Sequence, residues 1–194
     1  MELFVEGYLG AFPALFEFTE YKGQKKLGCR IMLHKVDDRD TAKELQAAIK
    51  EVAAEVDIDD VKDAEQCIGT PLLTKTHDSY FEVRTNRSEN ICNSRGPVAV
   101  LDRDPSKPCI ESASHPWSPQ IGDRVCAQID IFAMPDLKRI CASLVAIQKL
   151  GDGVDASEFG GGGVNRSKFG KVEGPKEEPG FRNVDLPTGD DDLD

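Results

Sequence analysis

The sequence predicts a mainly β domain of the α+β, small-barrel kind, followed by a glycine-rich acidic tail. Three observations carry this expectation. Several segments alternate apolar and polar residues with period two, one amphipathic helix is inserted among the early ones, and the composition changes abruptly after Leu150.

Along the chain, Leu27 to His34 alternates, with Cys29, Ile31 and Leu33 on one face and Arg30, Met32 and His34 on the other. Before it, Phe12, Leu15, Phe16 and Phe18 read mostly as core. A helix then begins after the acidic run 37–40, where Thr41 and Glu44 have capping-box spacing and Leu45, Ala48, Ile49, Val52 and Val56 form one apolar stripe. Past a turn at Gly69-Thr70-Pro71, Tyr80 to Arg87 alternates again. Phe81, Val83 and Thr85 face one way, and Tyr80, Glu82, Arg84 and Asn86 the other. Gly96-Pro97 opens a short apolar run, Val98 to Leu101, and four prolines between 105 and 119 bracket an irregular loop holding Trp117. Arg124 to Ala133 places Val125, Ala127, Ile129 and Ile131 inward, and Ile140 to Leu150 is apolar enough to be a central strand. These add up to five or six strands.

Residues 1–154 are expected to form the domain and 155–194 a flexible tail. Ten of the 17 glycines lie in the last 44 residues, and no apolar periodicity survives there. The net charge of −11 is unevenly placed. Residues 37–66 carry −7 and residues 151–194 carry −6, leaving the remainder at +2. A uniformly basic binder is excluded, whereas a local phosphate-binding surface is not. Six dispersed cysteines without a CxxC pair, no secretory signal and no apolar run long enough to span a bilayer point to a soluble cytoplasmic protein with reduced thiols.

Catalytic signatures are missing. There is no GxGxxG, Walker loop, GxSxG or HExxH, so no catalytic residues, cofactor or metal are assigned. Asp102-Arg103-Asp104 and the Asp57/Asp59/Asp60 cluster read as solvated loops, and Cys109 with His115 lacks the further ligands that zinc requires. Single-stranded nucleic acid makes smaller demands: cations that follow the phosphates, and aromatic rings on which bases stack. Lys22, Lys25 and Lys26 flank a turn, Arg30 lies on an outer strand face, and Tyr80, Arg84 and Asn86 share another, with Arg87 and Arg95 close by. The same residues also read as a solvated turn and an ordinary sheet face, and Trp117 as either a barrel plug or a stacking platform.

Together the motifs resemble phage-encoded single-stranded-DNA-binding proteins. Phe12-Pro13-Ala14-Leu15-Phe16-Glu17, then a Lys-rich turn and Cys29 to Lys35, is similar to that family's opening. Tyr80 to Asn86 and Gly96 to Asp102 look like its middle strands. Val125 to Ala133, with Leu144 to Gly153 carrying Gln148-Lys149 and Asp152-Gly153, is similar to its final strand pair. Three positions depart from the pattern: His34 replaces a usual proline, Gly151 a common arginine, and the chain ends on Asp194 where the better-known acidic tails end on Phe.

The resemblance implies an OB-like five- or six-stranded barrel with an inserted helix and an acidic tail. It implies sequence-independent binding and protection of single-stranded DNA in phage replication, recombination or repair, in the host cytoplasm and without enzymatic activity. The expected DNA-binding residues are Lys22, Lys25, Lys26, Arg30, Lys75, Tyr80, Arg84, Asn86, Arg87 and Trp117. The tail residues Asp190, Asp191, Asp192, Leu193 and Asp194 are expected to compete with DNA and to dock replication proteins such as a polymerase or helicase. A homodimer fits the family, and no membrane partner is expected. The alternative is an OB-like protein-interaction module that does not bind DNA.

Overall fold

A computed structural model describes residues 1–11, 13–56, 73–74, 79–134 and 139–159. Its strands are β1 (Glu2–Leu9), β2 (Ala14–Tyr21), β3 (Gln24–His34), β4 (Leu73–Thr74), β5 (Tyr80–Ser88), β6 (Ala99–Leu101), β7 (Arg124–Met134) and β8 (Arg139–Gly151). Two helices, α1 (Arg39–Glu55) and α2 (Glu89–Arg95), and a 3-10 turn at Ala156–Phe159 complete it. One sheet runs β4-β5-β3-β1-β7-β8-β6, with β2 hydrogen-bonded to β3. It curls until β5 meets β8, where the Arg87 guanidinium donates to the Leu144 carbonyl at 3.3 Å. The result is a nearly closed, OB-like barrel with a helix inserted between strands, the class the sequence predicts.

The interior follows the alternation. Val5 and Leu9 of β1, Ile31 and Leu33 of β3, Val83 of β5 and Val125, Ala127, Ile129 and Ile131 of β7 are wholly buried. Each large aliphatic side chain among them contributes about 1.5–3 kcal/mol. Helix α1 lays Leu45, Ile49 and Val52 against β1, β3 and β7. Its start differs from expectation. The N-cap is Asp38 and Thr41 lies inside the helix, so there is no capping box. Asp38 is buried, and its carboxylate instead accepts from the His34 amide at 2.8 Å and from Arg124 at 2.6 Å, fastening the β3–α1 corner to β7.

The aromatic run before β3 is also less uniform than expected. Leu15 is buried and Phe16 packs on the core, but Phe18 is 41% exposed, and Phe12 lies outside the described residues. The cause is β2 itself. It pairs with β3 at Ala14–Gly28 and again from Thr19–Lys26 to Tyr21–Gln24, with a register shift between. The two strands join through Lys22-Gly23, both at positive φ (52° and 74°), as a two-residue hairpin turn requires. The five cysteines among the described residues form no disulfide. Among the same residues no helix is long and apolar enough to cross a membrane, and no group of three metal-ligating side chains assembles.

Candidate nucleic-acid interface

The antiparallel pairing of β3 with β5 sets the outer face of the barrel. In order along the ladder, Lys26 faces Ser88, Gly28 faces Asn86, Arg30 faces Arg84, Met32 faces Glu82 and His34 faces Tyr80. Gly28 lets the strands approach, since a Cβ there would lie 2.2 Å from the Thr85 carbonyl oxygen. Where β2 bows away through its register shift, an open groove of about 220 Å³ forms, lined among others by Thr19, Lys26, Arg30, Arg84 and Asn86.

Two arginines directly opposite on a ladder repel each other. Here a single carboxylate between them holds both. Glu82 is 1% exposed; it accepts a hydrogen bond from Arg84 Nε, and its other oxygen lies 3.6 Å from Arg30 Nη1. The trio keeps one positive charge in excess, with each arginine side chain about a third exposed at the groove wall. The groove wall is therefore cationic along this part of the ladder.

Against the structure solved for the single-stranded DNA-binding protein of bacteriophage Enc34, the chain superposes with a TM-score of 0.62 at 16% identity, covering 86% of this chain and 88% of that one. For the same protein in complex with ssDNA the values are 0.61 and 15%, over 79% and 88% of the two chains. For gp2.5, a single-stranded DNA binding protein encoded by bacteriophage T7, they are 0.55 and 10%, over 90% and 97%. The chain has the fold of these phage proteins. No family model matches it, and no curated protein sequence does.

On this fold the ten candidate residues separate. Lys26, Arg30, Arg84 and Asn86 converge on the groove. Lys22 stands at the exposed hairpin tip, and Lys25 points to the other side of β3, 3.8 Å from Glu89. Lys75 and Asp190 to Asp194 lie outside the described residues. Arg87 requires correction: it is 5% exposed and donates to the carbonyls of Gly96 at 2.9 Å, Leu144 at 3.3 Å and Arg95 at 3.4 Å. Its position next to Asn86 on the strand turns it inward, where it closes the barrel and has no access to phosphate.

Tyr80 also requires correction as an open stacking surface, because it is 9% exposed. Its ring meets Tyr8, His34 and Phe159 edge-on at centroid distances of 6.1, 5.2 and 5.1 Å, and its hydroxyl donates to Glu158 at 3.0 Å. Phe159 and Glu158 come from a segment the sequence assigned to the tail. Residues 155–159 are packed on the barrel, with Phe159 buried beside Met32 and Tyr80. A signal for this turn is present in the sequence: Asp155 accepts from the Ser157 amide at 2.8 Å, and Asp155-Ala156-Ser157-Glu158 has capping-box spacing. Glu82, which the sequence places on the outer face without a role, and Phe159, which it leaves in the tail, are the residues around these side chains that the sequence reading did not single out. Trp117 is half-buried against the core, with the Arg103 guanidinium 5.1 Å above its ring.

Proposed function

We propose that this chain binds and protects single-stranded DNA without sequence preference, running the strand along the β2–β3–β5 groove. The observation that carries the reading is the convergence of Lys26, Arg30, Arg84 and Asn86 on one groove of a fold shared with phage proteins that bind single strands. Lys26, Arg30 and Arg84 neutralise phosphates and Asn86 offers a polar contact to sugar or base; Lys22, at the hairpin tip, extends the cationic strip. Such a protein acts in phage DNA replication, recombination or repair, in the host cytoplasm, and does no chemistry on its ligand. Its acidic terminus competes with the strand for the groove and docks replication proteins.

Fluorescence polarisation with labelled oligo-dT, against duplex of the same length at two salt concentrations, tests this. Binding of the single strand should be tighter and fall with salt, with a log–log slope of about −0.7 for each phosphate neutralised. Equal affinity for duplex, or affinity indifferent to salt, would sink the reading.

A further inference from the structure

The loop between β6 and β7 builds a second opening that shares no lining residue with the groove. It is an open depression of about 730 Å³ between two arms, with Arg103, Lys107, His115 and Trp117 in its wall beside the carboxylates of Asp102 and Asp104. That volume falls in the range of small-molecule sites.

Both arms are braced. In the first, Asp102 Oδ1 accepts from the Asp104 amide at 3.1 Å, Asp104 Oδ1 from the Ser106 amide at 3.0 Å, and the Asp104 carbonyl from the Lys107 amide at 3.0 Å. Gln148 of β8 ties this arm down, its Nε2 donating to the carbonyls of Asp102 at 2.8 Å and Arg103 at 3.3 Å. In the second arm the Trp117 amide donates to His115 Nδ1 at 3.2 Å, so Nε2 is the imidazole nitrogen left to carry a proton. It faces Asp102 Oδ2 at 3.8 Å, and Lys107 Nζ stands 3.8 Å from the other oxygen. Both distances exceed hydrogen-bond length, so the nearly buried Asp102 gathers the two side chains without using their donors in close bonds. Asp104 is turned to its own loop, bonding the Ser106 hydroxyl at 2.7 Å.

Facing the cavity are the Trp117 ring with the Arg103 guanidinium over it, the nitrogen donors of Lys107 and His115, and the carboxylates of Asp102 and Asp104, whose Oδ1 atoms are taken up by their own loop. A free inorganic anion has no use for the ring, and an apolar ligand has no use for Arg103, Lys107 and His115. A nucleotide uses both. We propose that the cavity receives one nucleotide of a single strand, its base stacked against the Arg103–Trp117 pair and its phosphate held by Lys107 and His115. The inference rests on the strand-binding reading above and adds to the groove a second point at which the strand is held.

Trp117 is the chain's only tryptophan, so its emission reports this cavity and nothing else. The full-length chain is titrated with oligo-dT and with an abasic strand of the same length, reading polarisation for binding at any site and tryptophan emission for the cavity. Oligo-dT should quench the emission in step with binding, and the abasic strand should bind without quenching. Trp117→Ala should weaken oligo-dT binding about tenfold, the scale of one stacked base, with Trp117→Phe recovering most of it. Because Trp117 also packs on the core, Arg103→Ala, an exposed change, serves as the second variant and should weaken both affinity and quenching. Full binding with unchanged emission, equal quenching by the abasic strand, or an Arg103→Ala variant that behaves as the parent would overturn the cavity site while leaving the groove standing. No polarisation change with any strand would overturn the strand-binding reading and this inference with it.

Discussion

The Tyr80 hydroxyl donates to the Glu158 carboxylate at 3.0 Å, joining the start of β5 to a turn 78 residues further along the chain. Burial, and then Glu158, push the Tyr80 phenol up to about 12. The neutral form is the one the fold holds. Stability from this group is therefore complete below the unfolded value near 10 and is lost as pH rises through 12. Thermal unfolding between pH 9 and 12 should show this loss in the parent chain, and Tyr80→Phe should flatten the profile. Identical profiles for the two would refute it.

Phe159 seals the same corner from above, beside Met32 and Tyr80. Phe159→Ala should lower unfolding stability by about 3 kcal/mol, as for other buried phenylalanines. Calorimetry or urea titration measures this. A change below about 0.5 kcal/mol, the size of a surface substitution, would mean that the turn is not part of the folded unit.

Arg84 and Arg87 lie on the same strand yet should fail in different ways. Arg84→Ala removes a groove cation and should weaken single-strand binding several-fold at every sequence, reducing the salt slope by about 0.7; it also takes the hydrogen-bond donor from buried Glu82, at a cost of about 1–3 kcal/mol in stability. Arg87→Ala strips three carbonyls of their donor and should cost about 2–4 kcal/mol of folding stability. Salt-dependent polarisation and denaturant titration on both variants separate the two roles.

Glu82→Gln keeps the shape of the side chain while releasing two arginines from their shared carboxylate. Because both guanidinium groups are partly exposed, the loss of stability should be modest, about 1–2 kcal/mol. The groove gains a unit of positive charge, so the salt slope for oligo-dT should steepen by about 0.7. An unchanged slope would show that Arg30 and Arg84 do not both reach phosphate.

Deleting residues 185–194 removes Asp185, Asp190, Asp191, Asp192 and Asp194. If these compete for the groove, oligo-dT affinity at low salt should rise and the gain should shrink as salt screens the competition. Loss of a protein partner with DNA affinity unchanged would favour the interaction-module reading.

Period-two alternation made β3, β5 and β7 legible, because one face of each must be buried and the other need not be, and β8 stood out instead as a nearly continuous apolar run. Alternation was less help where an element does not obey a two-sided rule. Phe4 lies outward on β1 and is 58% exposed, which blurs that strand's pattern, and β2 carries a register shift. The site was half legible for a related reason. Alternation assigns a face but says nothing of what pairs with it or covers it, so Arg84 and Asn86 emerged on one strand face and Arg30 on the outer face of another, while neither their meeting across the ladder nor the covering of Tyr80 could be read. Arg87 was chosen by charge, although its position next to Asn86 already turned it inward. The Gln148-Lys149 and Asp152-Gly153 motif, prominent in the resemblance, proves architectural. Gln148 tethers the 102–103 loop, and Lys149 bridges Asp123 at 3.0 Å and Asp152 at 2.8 Å.

The bare position at Gly28 has a practical use. Any side chain there would drive β3 off β5 and part the two arginines that Glu82 holds together. The groove is thus built from a linked signature, Gly-x-Arg on one strand against Glu-x-Arg on its neighbour. That signature gives a search pattern for distant kin in genomes where whole-chain alignment has lost its footing.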